Sequence, residues 1–130
     1  MSEQNLQQKV LPHFYALAAS NDIVFSETES AIINVICLSI EKFTSYELVI
    51  DIQAIQIHSK QLLTSALLEK SCDKLMDNYY LPPLKLLKGF RMPIIHSYSI
   101  LDTEIHFNIN PLMRAYFYGT MTYLKNKEAP

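Results

Sequence analysis

The sequence predicts an α+β fold in one domain, on the strength of three patterns. Ile33, Ile36, Cys37 and Ile40 recur at helical spacing behind a Ser-Glu-Thr-Glu entry at residues 26–29. Residues 47–52, Glu-Leu-Val-Ile-Asp-Ile, are rich in β-branched side chains and read as a strand. Residues 94–100 and 104–109 alternate apolar and polar residues on either side of Leu101-Asp102-Thr103, which is the signature of a hairpin. With 130 residues, 49% apolar and 18% charged, the chain can bury a core of one domain's size.

Taken in order, residues 1–10 are polar and predict a flexible lead-in to a single domain over 11–130. Pro12 suits the first turn of a short helix to about Ser20, where its missing N–H costs nothing, and Asn21-Asp22 ends that helix. In the entry at 26–29, the Ser26 hydroxyl can accept from the Glu29 N–H while the Glu29 carboxylate reaches back to the Ser26 N–H, so a helix follows to about Lys42. After the strand, with Leu48, Ile50 and Ile52 on one face, residues 53–58 either extend it or form a short helix capped by Asp51. A longer helix is predicted from about Lys60 to Asp77, with Ser59 as its cap and Leu68, Cys72, Leu75 and Met76 as its stripe. Pro82-Pro83 forces an extended path, and residues 84–93 read as a basic, irregular connection. In the hairpin, Ile105, Phe107 and Ile109 point inward and Glu104, His106 and Asn108 outward. Asn110-Pro111 opens a last helix with Met113, Tyr116, Phe117, Thr120, Met121 and Leu124 on its stripe.

Several function classes are disfavoured. The two glycines, Gly89 and Gly119, are far apart, so there is no phosphate-cradling loop. Cys37 and Cys72 have no His or Cys at ligand spacing and read as buried free thiols, which suits a reducing cytoplasm. His96 and His106 on adjacent hairpin strands lack a third ligand, so no metal site is expected. No nucleophile, base and orienting group converge, so the chain is expected not to be an enzyme and to need neither cofactor nor small-molecule substrate. No segment reads as a signal peptide or membrane span.

The net charge of −2 hides an asymmetry. Residues 1–59 carry −5, residues 60–91 carry +3 and residues 92–130 are balanced. The middle segment holds Lys60, Lys70, Lys74, Lys85, Lys88 and Arg91, a local patch that can meet a polyanion on one face or can simply be solvated surface. Strand, two helices and hairpin, in that order, is the order of a winged helix, in which the second helix of a helix-turn-helix-like pair faces DNA and the β-hairpin is the wing.

From Ser26 to Tyr123 the residues resemble the first winged-helix domain of plasmid replication-initiator (Rep) proteins. Four stretches carry the resemblance: the capped apolar helix followed by Leu48-Val49-Ile50-Asp51-Ile52; the helix at 62–76; the hairpin end Glu-Ile-His-Phe-Asn-Ile-Asn-Pro; and Pro111-Leu112-Met113-Arg114-Ala115-Tyr116-Phe117. The resemblance implies contact with double-stranded DNA and a homodimer. The family continues into a second winged helix that does most of the base reading, whereas this sequence stops at Pro130, which suits a fragment or a single-domain relative. The long helix is also less basic than a dedicated DNA reader's. On this reading Lys60, Gln61, Lys70 and Lys74 contact phosphate or base edges, and Lys85, Lys88 and Arg91 clamp the backbone beside the wing. The alternative is an assembly module that keeps the winged-helix shape without DNA, suggested by the net negative charge and the tyrosine- and methionine-rich final helix.

Overall fold

A computed structural model describes residues 11–16, 18–19, 22–39, 47–77, 79–80, 91–115 and 117, with only the backbone described at 79–80 and 91–92. The expected lead-in at 1–10, Lys85, Lys88, the continuation of the second helix towards Lys42, and the final stripe beyond Phe117 lie outside these residues. The fold is mixed α+β, with five helices and a three-stranded antiparallel sheet among the described residues.

The first helix, α1, covers residues 11–16 and 18–19. It ends where Asp22 adopts a φ of 61°, letting Asp22 N donate to Ala19 O at 3.0 Å and Ile23 N to Ala18 O at 2.9 Å. That left-handed residue satisfies the last carbonyls of the helix. Helix α2, Glu27–Leu38, opens with the expected reciprocal cap: Glu29 N donates to Ser26 Oγ at 3.1 Å and Ser26 N to a Glu29 carboxylate oxygen at 2.9 Å. Its apolar residues exceed one stripe, since Ala31, Ile32, Ile33, Val35, Ile36 and Cys37 are all buried. A helix that is apolar on most sides is a central one. The Tyr15 hydroxyl ties α1 to it, donating to Asn34 Oδ1 at 2.6 Å and lying 3.1 Å from the Ser30 carbonyl.

Strand β1, Glu47–Asp51, leads directly into α3, Ile52–Ile57. The ambiguous stretch therefore resolves as a helix, and Ile52 belongs to it rather than to the strand. Asp51 is the reason, because its carboxylate accepts from Gln53 N at 2.8 Å and caps the helix. Helix α4, Ser65–Leu75, starts five residues later than the periodicity predicts, with Thr64 rather than Ser59 as its cap and Thr64 Oγ1 accepting from Leu67 N at 3.1 Å. Two short strands follow, β2, Tyr79–Tyr80, and β3, Arg91–Met92. They pair as Tyr79 with Met92 and Tyr80 with Arg91, so the end of the expected irregular connection is a strand. Strands β4, Ile95–Leu101, and β5, Glu104–Ile109, form the hairpin, and α5 covers residues 111–115 and 117.

The sheet order is β1-β5-β4, with β5 in the centre. Its inner face (Leu48, Ile50, Ile105, Phe107, Ile109) packs in one core with Ile33 and Ile36 of α2, Ile55 of α3 and Leu68, Cys72 and Leu75 of α4. Phe14 and Phe117, ring centroids 5.7 Å apart, bring α1 and α5 into the same core. Both cysteines are free and buried, as the sequence predicts. Among the described residues no helix is long and apolar enough to cross a membrane.

Candidate nucleic-acid interface

The unit from β1 to α4 positions four of the seven sequence-predicted contacts. α3 ends at Ile57 with His58 as its C-cap, and the chain crosses to Thr64 in a turn held by the side chains of Gln56 and Ser59. Gln56 Oε1 accepts from Leu63 N at 2.9 Å, and Gln56 Nε2 donates to the Gln61 carbonyl at 2.7 Å. These bonds take the place of helical ones across residues 59–63, so Lys60 and Gln61 lie in the turn and not on the long helix. The turn is anchored to the start of α2: Lys60 N donates to a Glu27 carboxylate oxygen, and the Thr28 hydroxyl lies 3.5 Å from Gln61 Oε1. Both Lys60 and Gln61 are exposed. Ile57 and Leu62, each 81% exposed, flank the turn with apolar surface.

Lys70 and Lys74 are exposed on α4 one turn apart. Glu69, Asp73 and Asp77 are exposed among them, so the outer surface of this part of the chain carries three carboxylates and two ammonium groups. The charges are unevenly placed: from Lys60 through Ala66 there is no carboxylate, while Asp73 and Asp77 sit at or beyond the C-terminal end of the helix. Asp73 is engaged by the sheet, accepting from the Tyr98 hydroxyl of β4 at 2.7 Å. That hydrogen bond, with burial and the neighbouring negative charges, raises the Tyr98 hydroxyl well above the usual range for tyrosine. Arg91 lies in β3 opposite Tyr80, while Lys85 and Lys88 lie outside the described residues. The structure thus joins Lys60 and Gln61 to the helix bearing Lys70 and Lys74.

The hairpin differs in charge from what a DNA-touching wing requires. Its loop is only Asp102-Thr103, with Asp102 at a φ of 59° and Leu101 paired with Glu104. Asp51 of β1 lies directly opposite Glu104, and His106 Nε2 is 3.4 Å from Glu104 Oε2. Asp51, Asp102 and Glu104 therefore gather at the tip. Charge counted by thirds of the chain does not reveal this, because Arg114, Lys125 and Lys127 balance the final third after the sheet has ended. The available signal was the strands themselves: β1, β4, β5 and the loop contain four carboxylates and no lysine or arginine. His96 and His106 do not face each other, since His106 is opposite Ser99 and His96 sits at a register shift between Ile95 and Ser97. No group of three or more His, Cys, Asp or Glu residues able to hold a metal occurs among the described residues.

Neither a protein-family model, nor a curated protein, nor a solved structure matches the chain.

Proposed function

We propose that the chain is a winged-helix module of the replication-initiator kind that works in the cytoplasm, self-associates and holds duplex DNA by its phosphates, acting by binding rather than catalysis. The observation that carries this reading is the strand order β1-β5-β4 combined with a helix pair, α3 and α4, inserted between β1 and β4. This is the connectivity in which a helix pair is presented beside a hairpin. Lys60, Gln61, Lys70 and Lys74 are exposed on that pair and its turn. The carboxylates interleaved along α4 repel phosphates and leave its lysines only a small number of backbone contacts, and the anionic hairpin tip keeps the wing off the DNA.

A labelled duplex titrated with protein at several salt concentrations tests this. Micromolar binding that weakens with salt is expected. Lys70→Glu/Lys74→Glu should weaken it and flatten the log–log salt slope by about 0.9 for each phosphate no longer neutralised. Duplex DNA that gives no salt-sensitive signal at micromolar protein overturns the reading. The acidic sheet favours a second reading, an assembly module of the same shape without DNA binding. Under it, charge reversal at Lys60, Lys70 and Lys74 leaves partner binding and oligomeric state unchanged.

A further inference from the structure

The outward face of the sheet is a regular grid. Glu47, Asn108 and Ser97 form one row, Val49, His106 and Ser99 the next, and Asp51, Glu104 and Leu101 the third. Among the described residues the core lies on the other side of the sheet and no helix packs on this face. The two serines leave a trough of about 220 Å³ running past Val49, His106 and Asn108 with Glu47 at its end. Val49 and Leu101 are 51% and 54% exposed, so the floor and one corner are apolar within a carboxylate rim. That combination fits a segment that carries cations among apolar residues. Such a segment exists in the same sequence. Between Asn78 and Leu101 there is no carboxylate, and Lys85, Lys88 and Arg91 recur every third residue with Leu84, Leu86, Leu87 and Phe90 around them.

We propose that the outward face of the three-stranded sheet receives the Lys85–Arg91 segment of a second copy of this chain. The inference rests on the self-association proposed above and gives it a surface. In a two-fold dimer the contact is made twice, once in each direction, which doubles a small acidic-to-basic contact into a closed assembly. The rim pairs are solvent-facing, so the dimer weakens as salt rises.

Sedimentation velocity with charge-swapped chains tests the proposal. Wild type should form a dimer at low salt. Glu47→Lys/Glu104→Lys alone and Lys85→Glu/Lys88→Glu alone should each lose the dimer boundary. An equimolar mixture of the two should regain it, because one chain then offers a basic face and the other an acidic segment. Ser99→Trp, which fills the trough without changing charge, should also abolish the dimer; far-UV circular dichroism and thermal unfolding check that each variant is folded. A monomeric wild type at low salt, variants that dimerise as wild type does, or a mixture that stays monomeric overturns the proposal. The duplex titration repeated on Ser99→Trp, whose charge is unchanged, reads the DNA proposal separately, since none of the DNA contacts lies on this face.

Discussion

Asn110 shows how much one side chain can organise. It is 4% exposed, yet each of its hydrogen-bonding groups is used. Its carboxamide donates to the Pro93 carbonyl at 2.7 Å and accepts from Leu112 N at 3.0 Å, while its backbone N–H donates to the Ile94 carbonyl at 3.1 Å. It therefore caps α5 and fastens that cap to the strand entry at Pro93. The capping half is legible in the sequence as Asn-Pro before an apolar stripe. The bond to Pro93 spans seventeen residues and is not. Asn110→Ala should cost about 2 kcal/mol in urea unfolding, from a lost cap and an unsatisfied, partly buried carbonyl. Asn110→Asp keeps the cap acceptor but sets a buried carboxylate oxygen against the Pro93 carbonyl, so it should cost at least as much as the alanine variant. Asp102 offers a gain in the opposite direction. Its φ of 59° suits glycine, and its charge adds to those of Asp51 and Glu104. Asp102→Gly should raise stability by about 0.5–1 kcal/mol in the same assay.

At the scale of elements, the local signals that succeeded are those whose partners lie within one turn. The α2 capping box closes over three residues, and both of its hydrogen bonds form. Ser26→Ala should cost about 1 kcal/mol, and Glu29→Gln less, since an amide oxygen can still accept from the Ser26 N–H. The start of α4 failed because Leu63 stands four residues before Leu67, as an apolar helix stripe would place it. Periodicity cannot see that Gln56 holds residues 59–63 in a turn, or that Leu62 is left 81% exposed. That error moved two predicted contacts, Lys60 and Gln61, from a helix face to the junction between helices. Lys60 thus stands in a turn with no carboxylate of its own, apart from Lys70 and Lys74, which alternate with Glu69 and Asp73 along the helix and with Asp77 just past its end.

For the whole molecule, the fold class was legible because patterns of period 2 and 3.6 alternate cleanly along the chain. The distribution of charge was not, because it depends on which strands become neighbours. Pairing β1 with β5 puts Asp51 against Glu104, residues far apart in sequence, and only the folded sheet makes them one surface. Burial sets a further property of the molecule as a whole. It pushes the Cys37 and Cys72 thiols up from 9.0 to about 12, and the Tyr15 hydroxyl from 10.0 to about 12. The unfolded chain releases these protons at lower pH than the folded one does. Stability is therefore unaffected by them below about pH 8 and falls as pH rises from about 9 towards 12. Thermal unfolding should show a lower Tm at about pH 10 than at about pH 8, and the loss should shrink when both cysteines are replaced by alanine, after allowing for the cavities this leaves.

The Leu75 carbonyl accepts from Ile94 N at 3.0 Å, so the chain leaves the end of α4 and is back at the same spot just before β4 begins. The attachment of α4 to the sheet is thereby decoupled from the length of what lies between. Since the entropic cost of closing a loop grows only slowly with its length, residues can be added or removed in that excursion with small effect on the domain's stability. It is the natural place in this architecture for a lineage to try out new surface chemistry while the helix pair and the sheet keep their geometry.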